Sequence, residues 1–442
     1  MKQTLLSFAL VGVLATGASV MTTSAAAPPA DATFTPQARG GGESQADDPV
    51  AKLVGQLSLE RYKTTLKGLS QFGDREQGTK RNRDAVDWIE AQLKSYGCTN
   101  TERIIYTYAP EPRAPRAGGA GRAGQAGRGR AAGSGAASTP PGPPEPGSAD
   151  WTRRGQAGGS TYYGYRARTG VNRSLEAQPD ERLRELNAEP TAPGERQEVY
   201  CTKIGTTRPQ EMYIVGAHMD GHGKGEAIND DGSGTALVME LARAFHQPGV
   251  TTDVSIRFAL WNNEETGLNG ARAYVEQREA LQGKESPVGS GTYPEPKWLG
   301  MIQHDMMMWD HGMPRPDGTI NPEQRPEADI NIEFQSNSKM AEESMKLAFA
   351  VKAAADAYTT HYPATVGPHM TNTDSTPFMD IIPAISLREN ERGMQTGAGW
   401  NPHWHQPTDV FSTFSDKDFM LGLTSAQATL AAVARLAGAK VQ

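Results

Sequence analysis

Met212-Tyr213-Ile214-Val215-Gly216-Ala217-His218-Met219-Asp220 decides the fold: an uninterrupted apolar run breaks off at a histidine and an acid. A run with no polar alternation suits a strand covered on both faces, as in parallel sheets. The pattern recurs downstream. Ser255 to Trp261 is a second such run, followed by Glu264-Glu265, and Leu299 to Ile302 a third, followed by His304-Asp305. Pro383 to Leu387 is a fourth. Helical spacing lies between the runs, as in Leu237, Leu241, Ala244 and Phe245 after the Gly232-Ser233-Gly234 turn. Strands alternating with helices predict an α/β fold with a mostly parallel central sheet flanked by helices. In such sheets ligands bind outside the carboxyl ends of the strands, so the acids and histidines should meet at one rim.

Upstream, Leu59, Tyr62, Leu66 and Leu69 share a helix face behind Ser58 as N-cap. Val86, Ile89, Leu93 and Tyr96 share another, with Gly97 placed to end it. Arg103 to Tyr108 reads as a strand whose natural partner is Glu198 to Ile204. A final helix uses Leu423, Ala426, Leu430 and Val433, with Gly438 just past it.

The chain has 442 residues with 48 Gly and 30 Pro, about 18% together, against roughly 12% in average usage. No Gly-X-Y period runs through it, which excludes collagen, and most of the excess lies between the two early strands. Residues 109–195 read as a low-complexity Gly/Pro/Arg-rich insertion, unable to bury enough apolar surface to offset chain entropy. The aromatics that would stack nucleic-acid bases are absent from Arg113 to Ala149. With a net charge of −7, no nucleic-acid partner is expected.

Residues 1–27 read as a signal peptide: Lys2, an apolar stretch from Leu5 to Val13, then Ser24-Ala25-Ala26-Ala27. The protein is therefore expected to be exported, periplasmic or secreted, with no membrane span once the signal is removed. Residues 28–48 are expected to form a flexible tail, and 49–442 one domain interrupted by the insertion. Cys98 and Cys201 are the only cysteines. Either a disulfide or two buried thiols fits them. No feature fixes an oligomeric state.

Ile228-Asn229-Asp230-Asp231-Gly232 adds two carboxylates before a helix, where acids also serve as simple caps. Trp400 to Asp409 adds His403 and His405 in a loop. Several carboxylates at one rim repel and raise each other's pKa unless a cation offsets them. Two divalent metals would do so, with one carboxylate bridging and two further carboxylates and two imidazoles completing the set. Glu264 and Glu265 leave the strand in different directions, so one can bind metal while the other moves a proton.

Together, Gly216-Ala217-His218-Met219-Asp220, Ile228 to Gly234, Trp261 to Gly270, Gln303-His304-Asp305-Met306 and Trp404-His405 resemble the M28 family of zinc-dependent peptidases. The resemblance covers about 50–108 and 196–442. It implies a single catalytic domain of the zinc-dependent exopeptidase type with two Zn²⁺ per chain. Asp230 would bridge the metals, His218 and Asp305 complete one site, and Glu265 and His405 the other. Glu264 would be the general base and Asp220 would orient His218 from behind. A cis Asp230-Asp231 peptide bond is also implied.

The implied substrate is a peptide, and the default activity an aminopeptidase. A dipeptidase or carboxypeptidase of the same family, or a catalytically silent binding protein on this scaffold, are the alternatives. An exported Arg/Gly-tract protein gripping acidic polymers is a third reading. Two residues depart from the pattern: Trp404 stands where relatives often carry Tyr, and Ser375 where they carry His. Glu389 and Glu391 are candidates for gripping a free amine. His222 and His369 are expected to be exposed loop residues, not ligands. Met306-Met307-Met308 should pack beneath the site, and His304 should be structural.

Overall fold

The computed structural model describes residues 47–109, 155–157, 160–162, 171–312, 321–370, 372–389 and 401–442. The expected signal peptide, nearly all of the tail, the Arg/Gly-rich centre of the insertion and Glu391 lie outside them. Eight strands form the central sheet: β1 Glu102–Tyr108, β2 Gly194–Lys203, β3 Arg208–His218, β4 Val254–Trp261, β5 Lys297–His304, β6 Ile330–Phe334, β7 Ala364–Gly367 and β8 Ala384–Arg388. Their order is β1-β2-β4-β3-β5-β8-β6-β7. The central run β4, β3, β5 and β8 is parallel throughout, and β6 and β7 pair parallel at one edge. Antiparallel pairs join β1 to β2, β2 to β4 and β8 to β6. The expected pairing of the two early strands is present, with Arg103 opposite Val199.

Why the second apolar run lacks alternation is visible in β4, all of whose residues are buried. Val254, Ile256, Phe258 and Leu260 enter the larger core, beneath helix α5 (Ser233–Phe245). Ala259 and Trp261 point the other way, into a second core with Tyr274, Trp298 and Phe378. Burying a Val, Leu, Ile or Phe contributes roughly 1.5–3 kcal/mol relative to exposure, so both layers hold the sheet. Around it lie α1 (Pro49–Val54), α2 (Leu59–Ser70), α3 (Lys80–Ser95), α4 (Glu181–Leu186), α6 (Asn269–Arg278), α7 (Ala341–Tyr358) and α8 (Asp416–Leu436). Ser58 caps α2 through Arg61 N–H, and Gly97 and Gly438 take positive φ just after α3 and α8. Among the described residues, α8 alone is long and apolar enough to cross a membrane, yet it is mostly buried against α1, α5 and α7.

One expectation needs correction. Residues 171–193, assigned to the low-complexity insertion, are folded. They form a short 3-10 turn, Leu175–Ala177, and α4, and only Leu183 anchors them with a buried apolar side chain. Polar groups do the rest. Gln178 Nε2 donates to the carbonyls of Lys224 (2.8 Å) and Pro407 (2.9 Å). Asn187 donates to Gly225 O at 2.9 Å and accepts from Asp74 N–H at 3.1 Å, and Asn172 N–H donates to His405 O at 3.0 Å. Satisfying buried main-chain groups of other loops takes the place of apolar burial here. The two cysteines are joined, Cys98 to Cys201, with Cα atoms 6.3 Å apart.

Candidate metal centre

The carboxyl ends of β3, β4 and β5 deliver His218, the Glu264-Glu265 pair and Asp305 to one rim. Asp230 arrives from the segment before α5, and His405 from the loop before α8. His218 Nε2 lies 3.4 Å from Asp230 Oδ1 and 3.9 Å from Asp305 Oδ1. His405 Nε2 lies 3.1 Å from Asp230 Oδ2 and 2.8 Å from Glu265 Oε2. Two triads result, His218/Asp230/Asp305 and Asp230/Glu265/His405, each with donor atoms within 4.8 Å of one another. Asp230 belongs to both and presents a different oxygen to each. Such carboxylate and imidazole sets suit Zn²⁺, and the shared carboxylate suits a pair of ions.

The two adjacent aspartates divide the work. Asp231 turns inward: its Oδ2 accepts from His218 N–H (3.1 Å) and its Oδ1 from Gly234 N–H (2.9 Å) and Met306 N–H (3.2 Å). It accepts from the first turn of α5, and it ties the three loops together. Asp230 turns outward, and its own N–H and that of Asn229 donate to Asp409 at 3.1 and 2.8 Å. The bond between them is cis, as the resemblance implied. Arg75, wholly buried, staples the adjoining loop by donating to the carbonyls of Met219, Glu226 and Ala227 at 2.7 Å each.

Asp220 behaves differently from expectation. His218 Nδ1 donates to the main-chain oxygen of Asp220 at 3.0 Å, while the carboxylate lies 3.8 Å away. The carboxylate instead accepts from Glu264 N–H at 3.0 Å. Only one residue separates His218 from Asp220, so the carbonyl reaches the ring first and fixes the tautomer with Nε2 facing the carboxylates. Asp220 thus serves both His218 and Glu264.

Electrostatically the rim is over-supplied with acid. Burial pushes Glu264 well above the usual carboxylate range; His218 opposes this, and Asp374, Glu265 and Asp305 add to it. Burial works against a charge on His405, but Glu265 and Asp230 push it up to about 10. His218 is likewise raised, against its burial, by Glu264 and the Asp220, Asp230 and Asp305 carboxylates. Protons on two imidazoles thus balance the acids, and divalent cations would displace those protons.

The remaining candidates sort clearly. His304 is buried, held by Gly216 O and Thr429 Oγ1, and burial lowers it to about 4. It is structural, as expected. Met306, Met307 and Met308 are buried. His369 is half-buried at a bridge to Gln335, outside both triads. His222 is not exposed. It is buried beside the centre, with Nε2 3.9 Å from Glu265 Oε2 and its ring edge-on to His405. Gly223, at positive φ, brings this loop so close to His405 that a Cβ would meet its main chain at 2.4 Å. Glu389 is a buried brace, accepting from Asn229 Nδ2 (2.7 Å) and Trp309 N–H (2.6 Å). Ser375 is buried against Met370, and Trp404 lies over His405 with ring centroids 4.5 Å apart. Trp404 lines, with both triads and Glu264, a cleft of about 480 Å³.

The sequence profile of Peptidase family M28 matches residues 199–428. Leupeptin-inactivating enzyme 1 of Streptomyces exfoliatus is 38% identical over 74 residues, 17% of each chain. An aminopeptidase of Pseudomonas aeruginosa is 39% identical over 83 residues, 18% of this chain and 15% of its own. The chain spans less than a fifth of the length of these curated relatives. Among solved structures, an aminopeptidase from an Aneurinibacillus strain superposes with a TM-score of 0.51 at 16% identity, covering 89% of this chain and 97% of its own. A zinc aminopeptidase from Bacillus subtilis gives 0.51 at 14% identity, covering 86% and 95%. At such identities the likeness is one of fold.

Proposed function

Because the chain belongs to peptidase family M28, we propose that it is an exported di-zinc metallo-exopeptidase, with aminopeptidase activity as the favoured form. One observation carries the proposal: Asp230 offers its two oxygens to two separate triads at the edge of an open cleft. In this reading His218 and Asp305 hold one ion, Glu265 and His405 the other, and Asp230 both. Zinc bound there would supply Lewis-acid polarisation of the scissile carbonyl and a lowered pKa for water.

The chain supplies the rest. Glu264 lies at the rim without belonging to either triad, and its carboxylate is disposed to take a proton from attacking water and return it to the leaving amine. Asp220 holds the main chain of Glu264 and the ring of His218, so base and ligand keep a fixed spacing. Trp404 covers His405 and narrows the cleft at the position where relatives often carry a tyrosine. The experiment compares matched peptides with free and blocked N-termini, with and without chelator. Chelator-sensitive release of the first residue from free peptides only is expected; insensitivity to chelator removes the metal mechanism, and cleavage of blocked peptides alone removes the aminopeptidase assignment.

A further inference from the structure

The cleft that holds the triads is also lined by residues just ahead of α3 and by the folded part of the insertion, where Arg173 and Arg196 stand beside one acid, Glu76. Three basic groups at or behind this wall are engaged. Arg81 pairs with Asp74 at 2.8 Å, and Lys224 with Glu76 at 2.7 Å. Arg196 donates to Gln77 Oε1 (2.5 Å), Ala192 O (2.6 Å) and Glu195 O (3.1 Å), and its side chain is buried. Arg173 differs from these three. Its side chain is 47% exposed, it lines the cleft, and among the described residues its one ion-pair contact is Glu76 Oε1 at 3.9 Å, an oxygen also 3.9 Å from His222.

Glu76 is therefore shared among Lys224, Arg81, Arg173 and His222, with its charge met first by Lys224 at 2.7 Å and then by Arg81 at 3.4 Å. That leaves Arg173 as a guanidinium at the cleft whose one carboxylate within 4 Å, among the described residues, is Glu76 at 3.9 Å. It is well fixed at its root, because Asn172 N–H donates to the carbonyl of His405 at 3.0 Å. The same residue that offers Nε2 to Asp230 and Glu265 thus anchors the chain that carries Arg173. A guanidinium is a planar fork matched to a carboxylate.

We propose that Arg173 selects peptides carrying a carboxylate on the leaving side of the scissile bond, either the free C-terminus of a short peptide or an acidic side chain. The proposal rests on the peptidase reading above and deepens it. Both sources share one chemistry, and the length of peptide between the scissile bond and the carboxylate separates them. The test uses Leu-Ala-Ala as free acid and as amide, with Leu-Glu-amide and Leu-Gln-amide as the side-chain pair. Wild type should favour the acid of at least one pair by about tenfold in kcat/KM, mainly through KM. Arg173→Gln should bring that ratio close to one, and Arg173→Lys should keep part of it. No preference in wild type, or an equal preference in Arg173→Gln, overturns the proposal. Calorimetric binding of the product Ala-Ala against Ala-Ala-amide, to wild type and Arg173→Gln, reads the same guanidinium without turnover. Discrimination there with no hydrolysis of any peptide would sink the peptidase reading while the carboxylate site stands; hydrolysis with no discrimination in either measurement would sink the carboxylate site alone.

Discussion

Arg388 Nη2 lies 2.8 Å from Asp305 Oδ2, with both side chains almost wholly buried, and Arg388 Nε lies 3.8 Å from Glu333. The guanidinium neutralises one oxygen of Asp305 and leaves the other facing His218. Arg388→Met would remove a buried cation from beside two buried carboxylates. The expected cost is about 3 kcal/mol, read as a lowered urea midpoint. Added zinc should recover more stability in the variant than in wild type, since the cation takes over part of the lost compensation. Equal recovery in both would show that Asp305 does not face the metal.

Glu264→Gln keeps the size of the side chain and removes its ability to accept a proton. Turnover should fall at least roughly a hundredfold with zinc content unchanged, measured by peptide hydrolysis and metal analysis of the same sample. Near-normal turnover would take Glu264 out of the proton-transfer role.

Because Asp230 serves both triads, its loss should be felt twice. Metal analysis should give two zinc ions per wild-type chain and about one for His405→Asn. Asp230→Asn should fall below that single-site variant. A variant of Asp230 that retains as much zinc as His405→Asn contradicts the bridging arrangement.

Away from the centre, burial raises Asp310 to about 6, against the pull of Arg325. The folded state then holds a proton that the unfolded chain has released above about 4. Stability from this group is greatest near pH 4 and below, and is lost as pH rises through 6. Asp310→Asn should remove that component, so the difference between variant and wild-type urea midpoints should change between pH 4 and 6 and be constant above about 7.

Gln178 satisfies two carbonyls in two separate loops of the site. Gln178→Ala should cost about 1–3 kcal/mol in denaturant unfolding. It should also weaken activity, because Lys224 and Pro407 flank the loops that carry His222 and His405. Unchanged stability and activity would mean that the folded part of the insertion does not support the centre.

The parallel strands and the gathering of acids and histidines at their ends were legible because each of these apolar runs ends abruptly at a titratable residue. Ala217 to His218 and Ile302 to Asp305 need no knowledge of tertiary contacts. Strands β6 and β7 gave no such signal: Asn331 and Glu333 interrupt the apolar run in β6, and Arg388, far along the chain, lies 3.8 Å from Glu333. His222 and Arg75 were hidden for the same reason. Their burial is decided by partners far along the chain, Glu265 and the carbonyls at 219–227, and nothing local marks it. The error over 171–193 has the converse cause. Composition measures how much apolar surface a segment can bury, and this segment is held by Asn172, Gln178 and Asn187 through hydrogen bonds to other loops.

The Cys98–Cys201 bridge has a bearing on how the chain can be processed. It spans 103 residues, and everything from 109 to 193 falls within that span. A protease that cuts the Arg-rich stretch would therefore produce two fragments still covalently tethered, on top of the β1–β2 ladder that already joins them. The N-terminal fragment would keep α2 and α3 on the core, and the C-terminal fragment would keep every residue of both triads. Nicking of that stretch is thus compatible with an intact centre for as long as the surroundings stay oxidising.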